Sequence, residues 1–406
     1  MLYKLEIENF YSVREKQILD LTISSSIDDP DDRFAPIFVG SDDHAPKVVA
    51  LYGANASGKT TVLKALSFLT GFVRVGSQSM PLAAVQPFAD AESAGQPIRF
   101  AMEMGGFTDF KDALGRTPSW MRANHNGLLR YELEIRTGDA GLVVAYESLD
   151  QKPQGKGRWQ RIFERHGDFT VSGSDHFPTR EFRHLQKTLG PGQSVLSSYG
   201  QFNHPTAAYY ATAIGSTFTN IGIDPLDTDK PLADMFEAVP DILTRLNRDL
   251  NRIDAGIEAV RVDSQFGEKR LVFTHAGLGN ELLWQNESRG TRAFVGLFPI
   301  LTGPLSFGKL ALVDEFDTLI HPLLLPEILR WFYDEHDRNP EIGQLWMTCH
   351  SPTLLEDLVK EEVVITEKDG KGRTRVFSLM DIKLRRDENL YKKYLGGSLG
   401  GIPVIG

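Results

Sequence analysis

Apolar residues follow two rhythms along this chain. In one, a short unbroken run stops against glycine, charge or histidine: Val49-Ala50-Leu51-Tyr52 before Gly53, Leu310-Ala311-Leu312-Val313 before Asp314-Glu315, and Gln344-Leu345-Trp346-Met347-Thr348-Cys349 before His350. Such runs read as strands buried on both faces, as in a parallel sheet. In the other, apolar and polar residues alternate, over Lys4–Phe10 and Gln17–Ile23, then over Ile98–Met104, Leu129–Ile135, Leu142–Ser148 and Arg158–Phe163. These are half-buried strands, with turn residues such as Thr137-Gly138-Asp139 between them. Two further strands are expected at Gly256–Val262 and Arg270–His275.

Helical spacing appears in three places. A helix from Thr60 carries Val62, Leu63, Leu66 and Leu69 on one face; another carries Ile242, Leu243, Leu246, Leu250 and Ile253 opposite Arg245, Arg248 and Arg252; a third carries Phe294, Leu297, Phe298 and Leu301. Residues 28–47 read as a loop, and 78–96 as a polar stretch. The pattern predicts an α/β protein: a mixed or parallel sheet with flanking helices, plus an antiparallel β lobe and a helical insertion. The boundaries are 1–96 for the first part of the core, 97–178 for the lobe, 179–257 for the helix-rich insertion broken at Gly190-Pro191-Gly192 and Asp224-Pro225, and 258–406 for the rest of the core.

The polar stops carry the chemistry. Gly53-Ala54-Asn55-Ala56-Ser57-Gly58-Lys59-Thr60-Thr61 is a G-x-x-x-x-G-K-[ST] phosphate loop between a strand and a helix. Its glycines let backbone N–H groups converge on a polyphosphate, and the helix start adds positive potential. Lys59 places a charge on the β- and γ-phosphates, and the Thr60 hydroxyl is a ligand for Mg²⁺. Asp314 at its strand end is expected to hold the Mg²⁺ through its water shell, and Glu315 to orient or deprotonate the attacking water. His350 ends the next apolar strand, where the carboxyl edge of a parallel sheet collects ligand contacts, and reads as a γ-phosphate sensor. Glu287-Ser288-Arg289-Gly290-Thr291-Arg292 precedes a helix and forms an anion-binding turn.

Composition narrows this little. The chain has 406 residues, 41% hydrophobic and 24% charged, as in ordinary folded proteins. No apolar run approaches the ~18 residues of a membrane span, and the start has no signal-peptide core; a cytoplasmic location is the expectation. The single cysteine, Cys349, excludes an intrachain disulfide. A formal net charge of -10 argues against nucleic-acid binding through a global basic field. Local clusters remain at Lys152, Lys156, Arg158, Arg161 and Arg165, at Arg180, Arg183, His184 and Lys187, and at Lys383, Arg385, Arg386, Lys392 and Lys393.

Taken together, Ile7-Glu8-Asn9-Phe10 with Ser12, the Gly-x-Asn-x-x-Gly-Lys-Thr loop, Glu287-Ser-x-Gly-Thr291, Val313-Asp-Glu-x-Asp317 with His321-Pro322, and Thr348-x-His-Ser-Pro352 resemble the ABC-type ATPases of the RecF/SMC/OLD group. Within that group the chain is most similar to the prokaryotic "AAA family ATPase" proteins of abortive-infection and other phage-defence systems. Leu196–Asn203 and the ending Asn389–Pro403, with its Tyr-Leu and Gly-x-Ile-Pro, resemble theirs too. Two places depart from the group's pattern: the signature reads Ser288-Arg289-Gly290-Thr291 where transporters have Leu-Ser-Gly-Gly-Gln, and the surroundings of Gln86 are not diagnostic.

The resemblance implies ATP and Mg²⁺ as cofactors and an ATP-sandwich homodimer, open to higher assembly. In it Ser288, Arg289, Gly290 and Thr291 meet the γ-phosphate of the other subunit. It adds Ser12 and Arg14 to the ATP-binding residues and Gln86 to the Mg²⁺ group. It also implies a sensor or regulatory role in anti-phage defence, beside a separate effector chain such as a Toprim-type nuclease. A RecF-like DNA-repair ATPase that binds nucleic acid, a transporter's nucleotide-binding subunit, and a non-hydrolysing ATP-binding scaffold stay open as alternatives.

Overall fold

A computed structural model describes residues 1–76, 85–106, 127–138, 141–167, 170–223, 229–250, 256–264, 268–318, 320–386 and 388–402. The phosphate-loop strand Val48–Tyr52 lies inside a six-stranded sheet. The spatial order is Thr217–Thr219, Leu310–Val313, Gln344–Thr348, Val48–Tyr52, Val363–Lys368, Thr374–Ser378. The first five are parallel and the last is antiparallel. All three apolar runs therefore end on one edge, with the histidine strand between the phosphate-loop strand and the Asp-Glu strand.

Strand periodicity divides these runs between two cores. Val49, Leu51, Leu312, Trp346 and Val364 face helix Lys59–Val75 and the antiparallel sheet. Val48, Ala50, Tyr52, Val313, Met347 and Ile365 face helices Arg289–Phe307 and Leu325–Tyr333. Val62, Leu63, Leu66 and Leu69 are fully buried, each contributing about 1.5–3 kcal/mol of transfer free energy.

The alternating strands form a seven-stranded antiparallel sheet in the order Val171–Gly173, Gln160–His166, Gly141–Lys152, Leu128–Gly138, Ile98–Gly105, Leu2–Glu8, Gln17–Asp20. The sequence places a boundary at residue 97, but Ile98–Gly105 pairs along its length with Leu2–Glu8, so N-terminal strands and lobe share one sheet. Alternation gives a strand its faces, not its neighbour. The region expected to be helix-rich contains Arg183–Thr188, Val195–Gln201, Pro205–Gly215, Asp229–Ala238 and Pro240–Leu250. It also contributes the edge strand Thr217–Thr219 to the central sheet; three residues are too few for a periodic signal. Residues 34–36 and 43–46, within the expected loop, are short strands paired with each other. Asp224-Pro225, Asp139, Arg252, Ile253 and Pro403 lie outside the described residues.

Polar contacts join the sheets at opposite edges. Far from the phosphate loop, the buried Gln344 amide accepts from Leu2 N–H at 3.0 Å and donates to the Leu2 and Pro46 carbonyls at 3.0 and 2.8 Å. Near it, the Thr374 hydroxyl reaches Ser12 Oγ and the Ser57 carbonyl, both at 2.8 Å. Among the described residues no helix is long and apolar enough to cross a membrane.

Candidate functional site

The phosphate loop is built from backbone conformations that side chains resist. Gly53 has φ 155° and Gly58 φ 112°. A Cβ on Gly53 would collide with the Thr366 carbonyl, and one on Gly58 would stand 2.5 Å from Thr374 Oγ1. Ser57 Oγ bonds Thr366 Oγ1 at 2.6 Å, so the loop is held from below by the adjacent strand. Asn55 and Ala56 are exposed at its crest, and Ala56 is left-handed with φ 62°. The Lys59 ammonium donates to the carbonyls of Gly53 and Ala54 at 2.7 and 3.1 Å. Burial lowers its pKa from the usual lysine value, against the opposing pull of Asp314 and Asp317.

One carboxylate oxygen gathers the second half of the site. Asp314 Oδ1 accepts from the Thr60 hydroxyl at 3.0 Å and from the Thr348 hydroxyl at 2.6 Å. Thr348 Oγ1 in turn accepts the Glu315 N–H at 2.7 Å. Asn220, just after the edge strand, grips the Asp314 backbone on both sides: its Nδ2 donates to the carbonyl at 3.0 Å and its Oδ1 accepts the N–H at 2.8 Å. Glu315 is exposed and left-handed with φ 53°. An acidic side chain with no Asx-type bond of its own rarely adopts that conformation, and such strain concentrates at functional sites. The Asp317 carboxylate accepts the N–H groups of His350, at 2.8 Å, and Ser351, which orders the turn after the histidine strand. The His350 ring is exposed.

These donors fit Mg²⁺. A hydroxyl and a carboxylate are hard oxygen ligands, and octahedral ligands about 2.1 Å from the ion lie about 3.0 Å apart when adjacent. Thr60 Oγ1 and Asp314 Oδ1 are 3.0 Å apart. Among the described residues no three His, Cys, Asp or Glu side chains form a metal cage, which Mg²⁺ does not require when nucleotide phosphates complete its shell.

The other expected residues are more scattered. Ser12 joins the site, with Oγ 3.3 Å from Thr61 Oγ1. Arg14 is taken up by carboxylates, Asp90 at 2.7 Å and Glu92 at 2.6 Å, which hold its pKa above the usual arginine value. Gln86 is exposed; its carbonyl accepts the Tyr11 N–H at 2.9 Å, beside the Ser12 turn, and no described hydrogen bond ties its side chain to Thr60 or Asp314. Ser288 caps helix Arg289–Phe307, its Oγ accepting the Thr291 N–H at 3.1 Å and lying 2.8 Å from Thr291 Oγ1. Ser288 and Arg289 are exposed, and Gly290 partly so. The buried Glu287 pairs with His275 Nε2 at 2.6 Å, anchoring the turn to strand Arg270–His275. This helix packs on the face of the central sheet opposite helix Lys59–Val75.

Sequence reasoning missed Asn220, Thr366 and Thr374, and gave Thr348 a place in a motif without a role. Thr348 alone had a usable signal, a hydroxyl at a strand end beside the carboxylate strand. The basic clusters are partly neutralised: Arg161 pairs with Asp150 at 2.7 Å, the buried Arg165 donates to the Gln193 and Gly190 carbonyls, and Arg386 and Lys393 pair with Glu361 and Glu388. Arg180, Arg183, His184 and Lys187 are exposed.

Comparison with known proteins follows the same lines. The chain matches none of the curated proteins. Among solved structures it is similar to an SMC head bound to the C-winged helix domain of ScpA, with TM-score 0.46 and 14% identity over 94% of this chain and 99% of that one. It is also similar to the SMC head domain from Thermotoga maritima, with TM-score 0.40 and 13% identity over 93% and 98%. A family model described as "AAA domain, putative AbiEii toxin, Type IV TA system" matches residues 48–356, from the phosphate-loop strand past the histidine strand. With the phosphate-loop, Asp-Glu and histidine strands of its central sheet inside the matched residues, the chain belongs to that AAA-domain family.

Proposed function

We propose that the protein hydrolyses ATP in a head-to-tail sandwich dimer and serves as the sensor or regulatory subunit of an abortive-infection type anti-phage system, with a separate effector chain. One observation carries the dimer: the turn Ser288–Thr291 and the phosphate loop start helices on opposite faces of the same sheet. A signature turn so placed is presented outward, with Ser288 and Arg289 exposed, and fits the phosphate loop of a second copy.

Within each site the phosphate-loop amides and Lys59 would hold the β- and γ-phosphates, and Thr60 and Asp314 would hold Mg²⁺. When bound, the ion would supply positive charge to the phosphates. Thr348 fixes both carboxylate residues, and Glu315, projecting from its left-handed backbone, accepts a proton from the attacking water. His350 contacts the γ-phosphate, and Ser288 and Gly290 of the second copy close over it. Opening after hydrolysis is the signal to the effector. The defence role is supported by the family's description.

The test is Glu315→Gln, which keeps shape and removes the base. With ATP and Mg²⁺ the variant should accumulate as a dimer by light scattering while phosphate release stops. A variant that binds ATP yet stays monomeric refutes the sandwich.

A further inference from the structure

The last described turn of the chain lies against the phosphate loop. Helix Leu390–Leu395 is capped by Asn389, whose Oδ1 accepts the Lys392 N–H at 2.7 Å. The chain then turns back through Gly397, Gly400 and Gly401, with φ 74°, 77° and 69°. Tyr394, 7% exposed, sets its ring edge against Tyr52, the residue before Gly53, with centroids 5.7 Å apart. Its hydroxyl donates to the Gly401 carbonyl at 3.1 Å. The Gly401 N–H donates to Glu367 Oε1 at 3.0 Å, on the strand beside the phosphate-loop strand. Contact here is close: a Cβ on Gly401 would stand 3.2 Å from Gly53 Cα and 2.9 Å from Ile365 Cγ2.

We infer that Tyr394 and the Gly400-Gly401 turn are positioning groups for nucleotide binding, holding the first glycine of the phosphate loop in the conformation that receives a polyphosphate. The inference rests on the ATP site proposed above. Gly53 has φ 155°, a conformation that glycine reaches but does not keep unaided. A loop that samples other conformations binds more weakly in proportion to the time spent in them. The Tyr394 hydroxyl holds the Gly401 carbonyl, and Gly401 packs directly on Gly53, so the tail restricts that sampling before nucleotide arrives. Burial raises the Tyr394 pKa, keeping the hydroxyl protonated and able to donate.

The experiment compares four full-length proteins by titration with a fluorescent ATP analogue, by hydrolysis at saturating ATP, and by hydrogen exchange without nucleotide. They are the unsubstituted chain, Tyr394→Phe, Gly401→Ala and Gly372→Ala. Gly372 has φ 79° with open space around it, so it controls for left-handed strain alone. Tyr394→Phe keeps the ring and should bind roughly fivefold to tenfold more weakly, with hydrolysis at saturation within about twofold. Faster exchange should be confined to the peptide containing Gly53. Gly401→Ala should bind more weakly still, and Gly372→Ala should match the unsubstituted chain. If the unsubstituted chain binds ATP and both tail variants bind equally well, the positioning role is overturned and the ATP site stands. Weaker binding with exchange raised throughout the core reduces the tail to general stability and also overturns it. An unsubstituted chain that binds no ATP removes the site and the positioning role together.

Discussion

Thr348→Val removes one oxygen from the centre of the site and preserves shape almost entirely. The residue is fully buried. Its hydroxyl donates to Asp314 Oδ1 at 2.6 Å and accepts the Glu315 N–H at 2.7 Å, so valine breaks one bond to a carboxylate and strands one amide. The first loss is worth about 1.5–3 kcal/mol and the second costs about 1–3 kcal/mol. Asp314 is only half-buried and Glu315 exposed, so water recovers part of both, and roughly 2–3 kcal/mol is expected in the transition state. That is about 30- to 150-fold in rate. Phosphate release should fall by this factor, and the Mg²⁺ concentration for half-maximal rate should rise, because Asp314 loses the partner that aims it. Thr348→Ser, which keeps the oxygen, should recover most of the rate. A valine variant slowed less than about threefold at saturating Mg²⁺ refutes the claim that this hydroxyl organises the carboxylates.

Two further outcomes follow from the packing. Gly58→Ala puts a methyl 2.5 Å from Thr374 Oγ1 at φ 112°; a cost of about 1–3 kcal/mol is expected from the backbone alone, and calorimetric titration should find ATP binding lost. His204, buried against Phe177 and Phe182, accepts the Ala207 N–H through Nδ1 and therefore caps its helix as the neutral ring. Burial pushes its pKa down to about 4 from 6.5. A depressed folded pKa means stability is present in full above pH 6.5 and is lost as pH falls toward 4, by about 3 kcal/mol at most. His204→Gln should flatten the fall in urea-unfolding free energy across that window; an unchanged slope contradicts the neutral cap.

What the sequence makes legible here is what lies close along the chain. The phosphate loop, Asp314-Glu315 and the helix of Val62, Leu63, Leu66 and Leu69 are local patterns, and each appears in the structure within a residue or two. The merging of N-terminal strands with the lobe was not legible, because alternation in Leu2–Glu8 says nothing about Ile98–Gly105 as partner. Asn220 was hidden for the same reason: it is 94 residues from Asp314, and the strand before it is three residues long. Thr366 and Thr374 are ordinary strand residues until a glycine loop is laid on them. Arg165, read as part of a basic surface, is buried because its donors satisfy carbonyls of a distant turn.

The polar contacts at opposite edges of the two sheets have a mechanical consequence. Gln344 pins Leu2 at one end of its strand, and Thr374 pins Ser12 and Ser57 beyond the other. The pins sit on strands three positions apart in the central sheet, so at about 4.8 Å per strand they are separated across it by roughly 14 Å as well as lying at opposite edges. One pin would leave the antiparallel sheet free to swivel over the central one; two pins at that spacing turn the pair into a beam. A rotation of the antiparallel sheet over the central one would have to strain the Thr374 contacts to Ser12 and Ser57, so the floor of the phosphate loop is part of the seam that resists it.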